Sequence, residues 1–183
     1  MRPHQRLERE SQSIKSLFTE RYNINMLSPD VLRLEEIRRY IQDAETEYYA
    51  DYRDYVREQK PTPKKIKLAE QSKAGRAQLH AVIESVRREN PAAITEWVEY
   101  HRSFLKRIQA ETSTEMNADT RRGMAGFALQ QWEKVLAGEQ DFVSINPHFL
   151  KDYSEEVNKG PRWIPTSTPE EPEAAKPWWQ FWK

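Results

Sequence analysis

The chain contains no cysteine. That excludes disulfides, thiolate metal sites and cysteine nucleophiles, and it suits a reducing compartment. Only 5 of the 183 residues are glycine, too few for a set of tight hairpins and in keeping with long helices. The formal net charge is zero, so no global field steers the protein toward nucleic acid or a membrane. No window approaches the length of apolar sequence needed to cross a bilayer. The first residues, "MRPHQRLERESQSIK", have no apolar core and do not read as a secretory signal. The expected localisation is cytoplasmic.

Catalytic signatures are equally sparse. The four histidines are His4, His80, His101 and His148, and no two stand three or four residues apart. Neither H-E-x-x-H nor the E-x-x-H of di-iron bundles occurs. "RRGMAG" at 121–126 follows no strand and lacks the Lys-Ser/Thr ending of a phosphate loop. The sequence is therefore read as non-enzymatic, with no metal and no cofactor. His101 shares a helical face with Trp97 and Leu105 and is expected to be a hydrogen-bonded core histidine. Glu35, Glu36, Arg38 and Arg39 alternate in sign and read as a solvated helix face.

What is present is helical punctuation. A cap residue precedes proline at Ser28-Pro29, Thr62-Pro63, Asn90-Pro91 and Asn146-Pro147. The side chain of such a residue can accept from an orphan N–H of the first turn, and proline at the next position forfeits no hydrogen bond. The periodicity predicts helices over 5–22, 29–59, 63–89, 91–111, 119–137 and 147–158. The second carries Val31, Leu34, Ile37, Ile41, Ala44, Tyr48, Tyr52 and Tyr55 at steps of three and four. Its tyrosines serve either a core or an interface. In the third, Ser72 and Gly75 are small enough to admit a neighbouring helix. The fifth holds Met124, Phe127, Ala128, Trp132, Val135 and Leu136, with Gly138 closing the helix. The fold class is all-α: an elongated bundle of five to six helices over residues 4–160.

The composition then changes. Residues 161–177, "PRWIPTSTPEEPEAAKP", hold five of the 11 prolines and very few apolar residues. Such a stretch cannot bury enough surface to fold, so 161–176 is read as a flexible linker. Residues 177–183, "PWWQFWK", follow as a Trp-rich C-terminal docking motif. On a helical turn Trp178, Phe181 and Trp182 fall on one side with Trp179 beside them, and Gln180 stands opposite. Burying four such side chains contributes roughly 6–12 kcal/mol gross, enough for micromolar binding.

These features give one expectation and two alternatives. The first is an adaptor or scaffold that recruits a protein partner through Trp178, Trp179, Phe181 and Trp182, with self-association through the bundle possible in addition. The second is a peripheral membrane protein anchored by the same residues. The flanking Glu170, Glu171 and Glu173 argue against it, because membrane anchors usually add basic clusters. The third is a weak nucleic-acid binder, with phosphate contacts from Lys64, Lys65, Lys67, Lys73 and Arg76. Residues 61–110 hold ten basic against five acidic side chains, but no recognition motif accompanies them.

Overall fold

The computed structural model describes residues 27–50, 61–112, 117–145, 148 and 150–166. Among these there are five helices and no strand. They are α1 (Pro29–Ala50), α2 (Pro63–Glu89), α3 (Pro91–Gln109), α4 (Ala118–Ala137) and α5 (Lys151–Val157). The all-α class expected from the sequence is observed. The predicted helix at 5–22, the continuation of α1 through Tyr52 and Tyr55, and the Asn146-Pro147 pair lie outside the described residues. The last predicted helix is shorter than expected and begins at Lys151.

The proline half of the start signal holds better than the capping half. Prolines 29, 63 and 91 each open a helix. Thr62 caps α2, its hydroxyl accepting from the N–H of Lys65 at 3.3 Å. Ser28 does not cap through its side chain; its N–H donates to Glu96 at 2.9 Å, tying the start of α1 to α3. Asn90 is the single residue between α2 and α3, and its N–H closes α2 on the carbonyl of Val86. Its side chain is thereby turned away from α3 and donates to Asp30 at 2.7 Å.

Cross-helix pairs set the packing. Tyr40 and Ile41 meet Gly75, Glu45 meets Ser72 and Arg76, and Glu47 meets Lys64, so α1 and α2 run antiparallel. Trp97 meets Trp132, and Arg102 meets Glu133, while Gln109 approaches Gly126, so α3 and α4 are antiparallel as well. Gly75 sets the α1–α2 distance. A Cβ there would stand 2.6 Å from Ile41 and 3.0 Å from Tyr40, closer than packed atoms tolerate.

The core joins Val31, Leu34, Ile37 and Ile41 to Leu79, Ile83, Trp97, Leu105, Trp132 and Val157. Phe127 on α4 is 57% exposed. The buried line of α4 is Ala118, Ala125, Ala128, Trp132 and Val135, and Phe127 is one helical step off it. Beyond α5, residues 158–166 continue as a strap along α1. Gly160 has φ +115°, a region open to glycine, and a Cβ there would lie 3.0 Å from Arg39. Residues 161–163, assigned from composition to the linker, lie against α1. The N–H of Trp163 donates to the carbonyl of Glu36, its ring meets Tyr40 edge-on at 5.2 Å, and Arg162 pairs with Asp43 at 2.8 Å.

Candidate functional site

Two arrangements carry the chemistry of the described residues: a sealed polar network at the core and an open groove between α1 and α2.

The network is centred on Glu35, and its burial overturns the reading of Glu35, Arg38 and Arg39 as solvated. All three have 0% exposure. Spacing explains it. Position 35 is four after Val31, and 38 lies midway between Leu34 and Ile41, so both fall within the apolar arc of α1. Oε1 of Glu35 accepts from Nε of Arg38 at 2.9 Å, Nε1 of Trp97 at 2.7 Å and Nε2 of His101 at 2.6 Å. Oε2 accepts from Nη2 of Arg38 at 3.1 Å and lies 3.4 Å from Nη2 of Arg39. The arginines reach onward. Nη2 of Arg38 and Nε of Arg39 both donate to the carbonyl of Val157, at 2.8 and 2.9 Å, and Nη1 of Arg39 donates to the carbonyl of Pro161. One carboxylate thus organises α1, α3, the end of α5 and the strap.

His101 is the expected core histidine. Its ring stacks on Trp132 at 3.8 Å with 10° between planes. Hydrogen-bond chemistry assigns its tautomer. Glu35 needs a donor, so Nε2 carries the proton, and Nδ1 accepts from the Tyr153 hydroxyl at 2.9 Å. The Tyr153 oxygen in turn accepts from Nε1 of Trp132 at 3.1 Å. A neutral imidazole therefore satisfies the whole chain; a doubly protonated one would leave the Tyr153 proton without an acceptor.

The electrostatics agree. Burial pushes His101 down from 6.5 to about 4, against the pull of Glu35. Burial alone would raise Glu35, but the charge of Arg38 and the hydrogen bonds from Arg38 and His101 hold it well below the ordinary carboxylate range. Burial raises the Tyr153 phenol, so it stays protonated. A carboxylate–imidazole–hydroxyl chain resembles a proton relay in outline. Here Glu35, His101 and Tyr153 are all within the core, and none of them lines either open depression described below. Its chemistry is that of a staple between helices.

Acid is expected to loosen that staple. Below pH 6.5 the unfolded chain binds a proton at His101 that the folded chain refuses. The stability this histidine contributes is complete above about pH 6.5 and drains as pH falls toward 4. Glu35 acts in the same direction further down, its contribution fading as pH drops below 4.5. Urea unfolding at pH 7.5, 6 and 4.5 should show a fall on the order of 2–3 kcal/mol across the range. A flat profile would show that His101 takes up a proton in the fold as readily as in the unfolded chain.

The groove is an open depression of about 390 Å³ between the second half of α1 and the first half of α2. Ala44 and Leu68, both buried, form its base. Tyr48, Tyr49, Ser72, Lys73 and Arg76 line it, and Tyr49 is 65% exposed. The two tyrosine rings meet edge to face at 5.4 Å. A second depression of about 270 Å³ lies between Arg76, Leu79 and residues 140–142, beside an exposed His80–Asp141 pair at 2.6 Å.

The basic residues singled out from the sequence are spread around the first groove. Lys65 is 2% exposed with its ammonium 5.2 Å from the Tyr48 ring. Lys64 pairs with Glu47 at 2.7 Å. Arg76 donates to Glu45 at 3.1 Å and lies over the Phe142 ring at 4.5 Å. Lys67 and Lys73 are exposed. Three of the five thus make contacts within the fold, leaving a small footprint for phosphate. Trp178, Trp179, Phe181 and Trp182 lie outside the described residues. Among the described residues no cluster of three His, Cys, Asp or Glu side chains is placed to hold a metal ion, and no helix is long and apolar enough to cross a membrane.

No protein-family model matches the chain, and neither a curated protein nor a solved structure matches it.

Proposed function

We propose that the protein is a non-enzymatic adaptor or scaffold, acting in the cytoplasm, that recruits a protein partner through Trp178, Trp179, Phe181 and Trp182. In this reading the helices form an elongated bundle of five to six members, with residues 5–22 as a further helix. What supports it is the strap. Trp163 on Tyr40, Arg162 on Asp43 and Arg39 on the carbonyl of Pro161 fasten the chain to α1 immediately before the acidic proline-rich stretch. A recruiting segment needs such an anchorage, because a load on the segment is then borne by the core. The acidic residues Glu170, Glu171 and Glu173 favour an apolar partner groove with a basic rim. Tryptophan is the residue most enriched at binding hot spots.

The test is a pull-down from native lysate with the full chain beside a variant carrying Trp178→Ala, Trp179→Ala and Trp182→Ala. A soluble protein captured by the first and reduced at least tenfold by the second is the expected result. Capture of the same proteins in equal amounts by both chains would sink the adaptor reading. The urea midpoint, unchanged between them, would show that the body is intact.

A further inference from the structure

We infer that the α1–α2 groove is the intramolecular seat of the aromatic segment 178–182, so that the chain masks its own recruiting element. The inference rests on the reading of that segment as a docking element.

The strap lies on the same ridge of α1 as the groove. Tyr40, Ala44 and Tyr48 follow at intervals of four and form one ridge of α1. Trp163 already lays its ring on Tyr40, the first member of that ridge. Ala44 and Tyr48, the next two, line the groove. The distance from Tyr40 to Tyr48 along the helix is about 12 Å. Eleven residues, 167–177, separate Thr166 from Trp178. A chain of that length spans roughly 20 Å as a coil and about 40 Å fully extended. The segment reaches the groove without strain.

Charge and surface agree. Lys73 and Arg76 line the groove with one carboxylate, Glu45, and Lys67 is exposed nearby on α2. That excess complements the charge of Glu170, Glu171 and Glu173, which precede the tryptophans in the chain. Tyr48 and Tyr49 offer aromatic rings, and Lys73 a cation, to an indole. A short linker supplies an effective concentration near millimolar, so a groove of only ~100 μM intrinsic affinity would be filled about ten to one. The partner's apparent affinity would then be reduced about tenfold.

The absence of cysteine makes the test direct. In the full chain, exposed Glu70 on the groove's helix is replaced by the sole cysteine (Glu70→Cys) and given a nitroxide. Tryptophan is replaced biosynthetically by fluorotryptophan, and the fluorine signals of residues 178, 179 and 182 are assigned by single Trp→Phe changes. The expected result is broadening of these signals in dilute protein, relieved by Tyr49→Ala with Lys73→Glu, two substitutions at exposed positions. Sharp signals, or broadening that the groove substitutions leave intact, would overturn the proposal. Broadening found only when nitroxide-bearing and fluorinated copies are mixed would assign the groove to a second copy and overturn it too. If the pull-down shows no partner but the broadening and its relief are observed, the adaptor reading fails and the intramolecular seat stands. If a partner is found, the groove variant should bind it about tenfold more tightly than the wild type; equal affinity would overturn the masking.

Discussion

Glu35→Ala is expected to lower the folding stability by about 3–5 kcal/mol, the cost of removing one partner of a buried ion pair. The substitution leaves Arg38 and Arg39 charged inside the core with no carboxylate to meet them. It also removes the acceptor for the N–H groups of Trp97 and His101. A domain of ordinary stability has only about 5–15 kcal/mol to lose, so the variant should be close to unfolding at moderate urea concentrations. Glu35→Gln discriminates the causes. Its amide keeps the volume and one acceptor oxygen, but places N–H donors against arginine donors and removes the negative charge. It should fall between wild type and Glu35→Ala. A urea midpoint for Glu35→Ala that corresponds to a loss below about 1 kcal/mol would mean that the network is solvated and the helices are held by apolar packing alone.

The second large effect is expected at Trp132. Its ring is fully buried, stacked on His101, edge-on to Trp97 at 5.1 Å, and its N–H donates to Tyr153. Trp132→Ala should cost about 3–5 kcal/mol from the lost burial and the cavity left behind. Trp132→Phe keeps most of the stacking and loses the N–H. The Tyr153 hydroxyl still donates to His101, so no buried group is left unsatisfied by the polar loss, and the cost should be about 1–2 kcal/mol. Urea denaturation of both variants measures the separation. If Phe costs as much as Ala, the indole N–H rather than the ring's volume carries the contribution.

Much of the helical framework was legible in the residues, and the reason is local. Proline at a first helical position costs nothing there and much elsewhere, so prolines 29, 63 and 91 marked starts that the fold uses. The Val31–Leu34–Ile37–Ile41 spacing described a face that is buried. The identity of the cap partner was not legible. Thr62 bonds its own helix, whereas Asn90 bonds Asp30, because a residue shared by two helices is oriented by the angle between them. Phe127 is exposed because a neighbouring helix covers only a stripe of the apolar residues of α4, and the residues alone did not say which.

The larger miss was Glu35, Arg38 and Arg39. Their positions pointed inward, four residues from Val31 and from Leu34, but their chemistry pointed outward. A buried charge is tolerable only where opposite charge and hydrogen-bond partners converge on it. Those partners, Trp97, His101, Val157 and Pro161, are 62 to 122 residues away in the chain. No pattern within α1 encodes them.

The sequence by itself determined the helical class, three of the helix starts, the apolar faces of α1 to α3 and the core place of His101. These follow from φ restriction and periodicity, which act within a few residues. Only the tertiary structure decided which charges are sealed, which imidazole nitrogen holds the proton, how closely α2 approaches α1 at Gly75, and where residues 161–163 lie on α1. Each of those depends on groups that meet only when distant helices pack, where desolvation and pairing, not residue type, set the outcome.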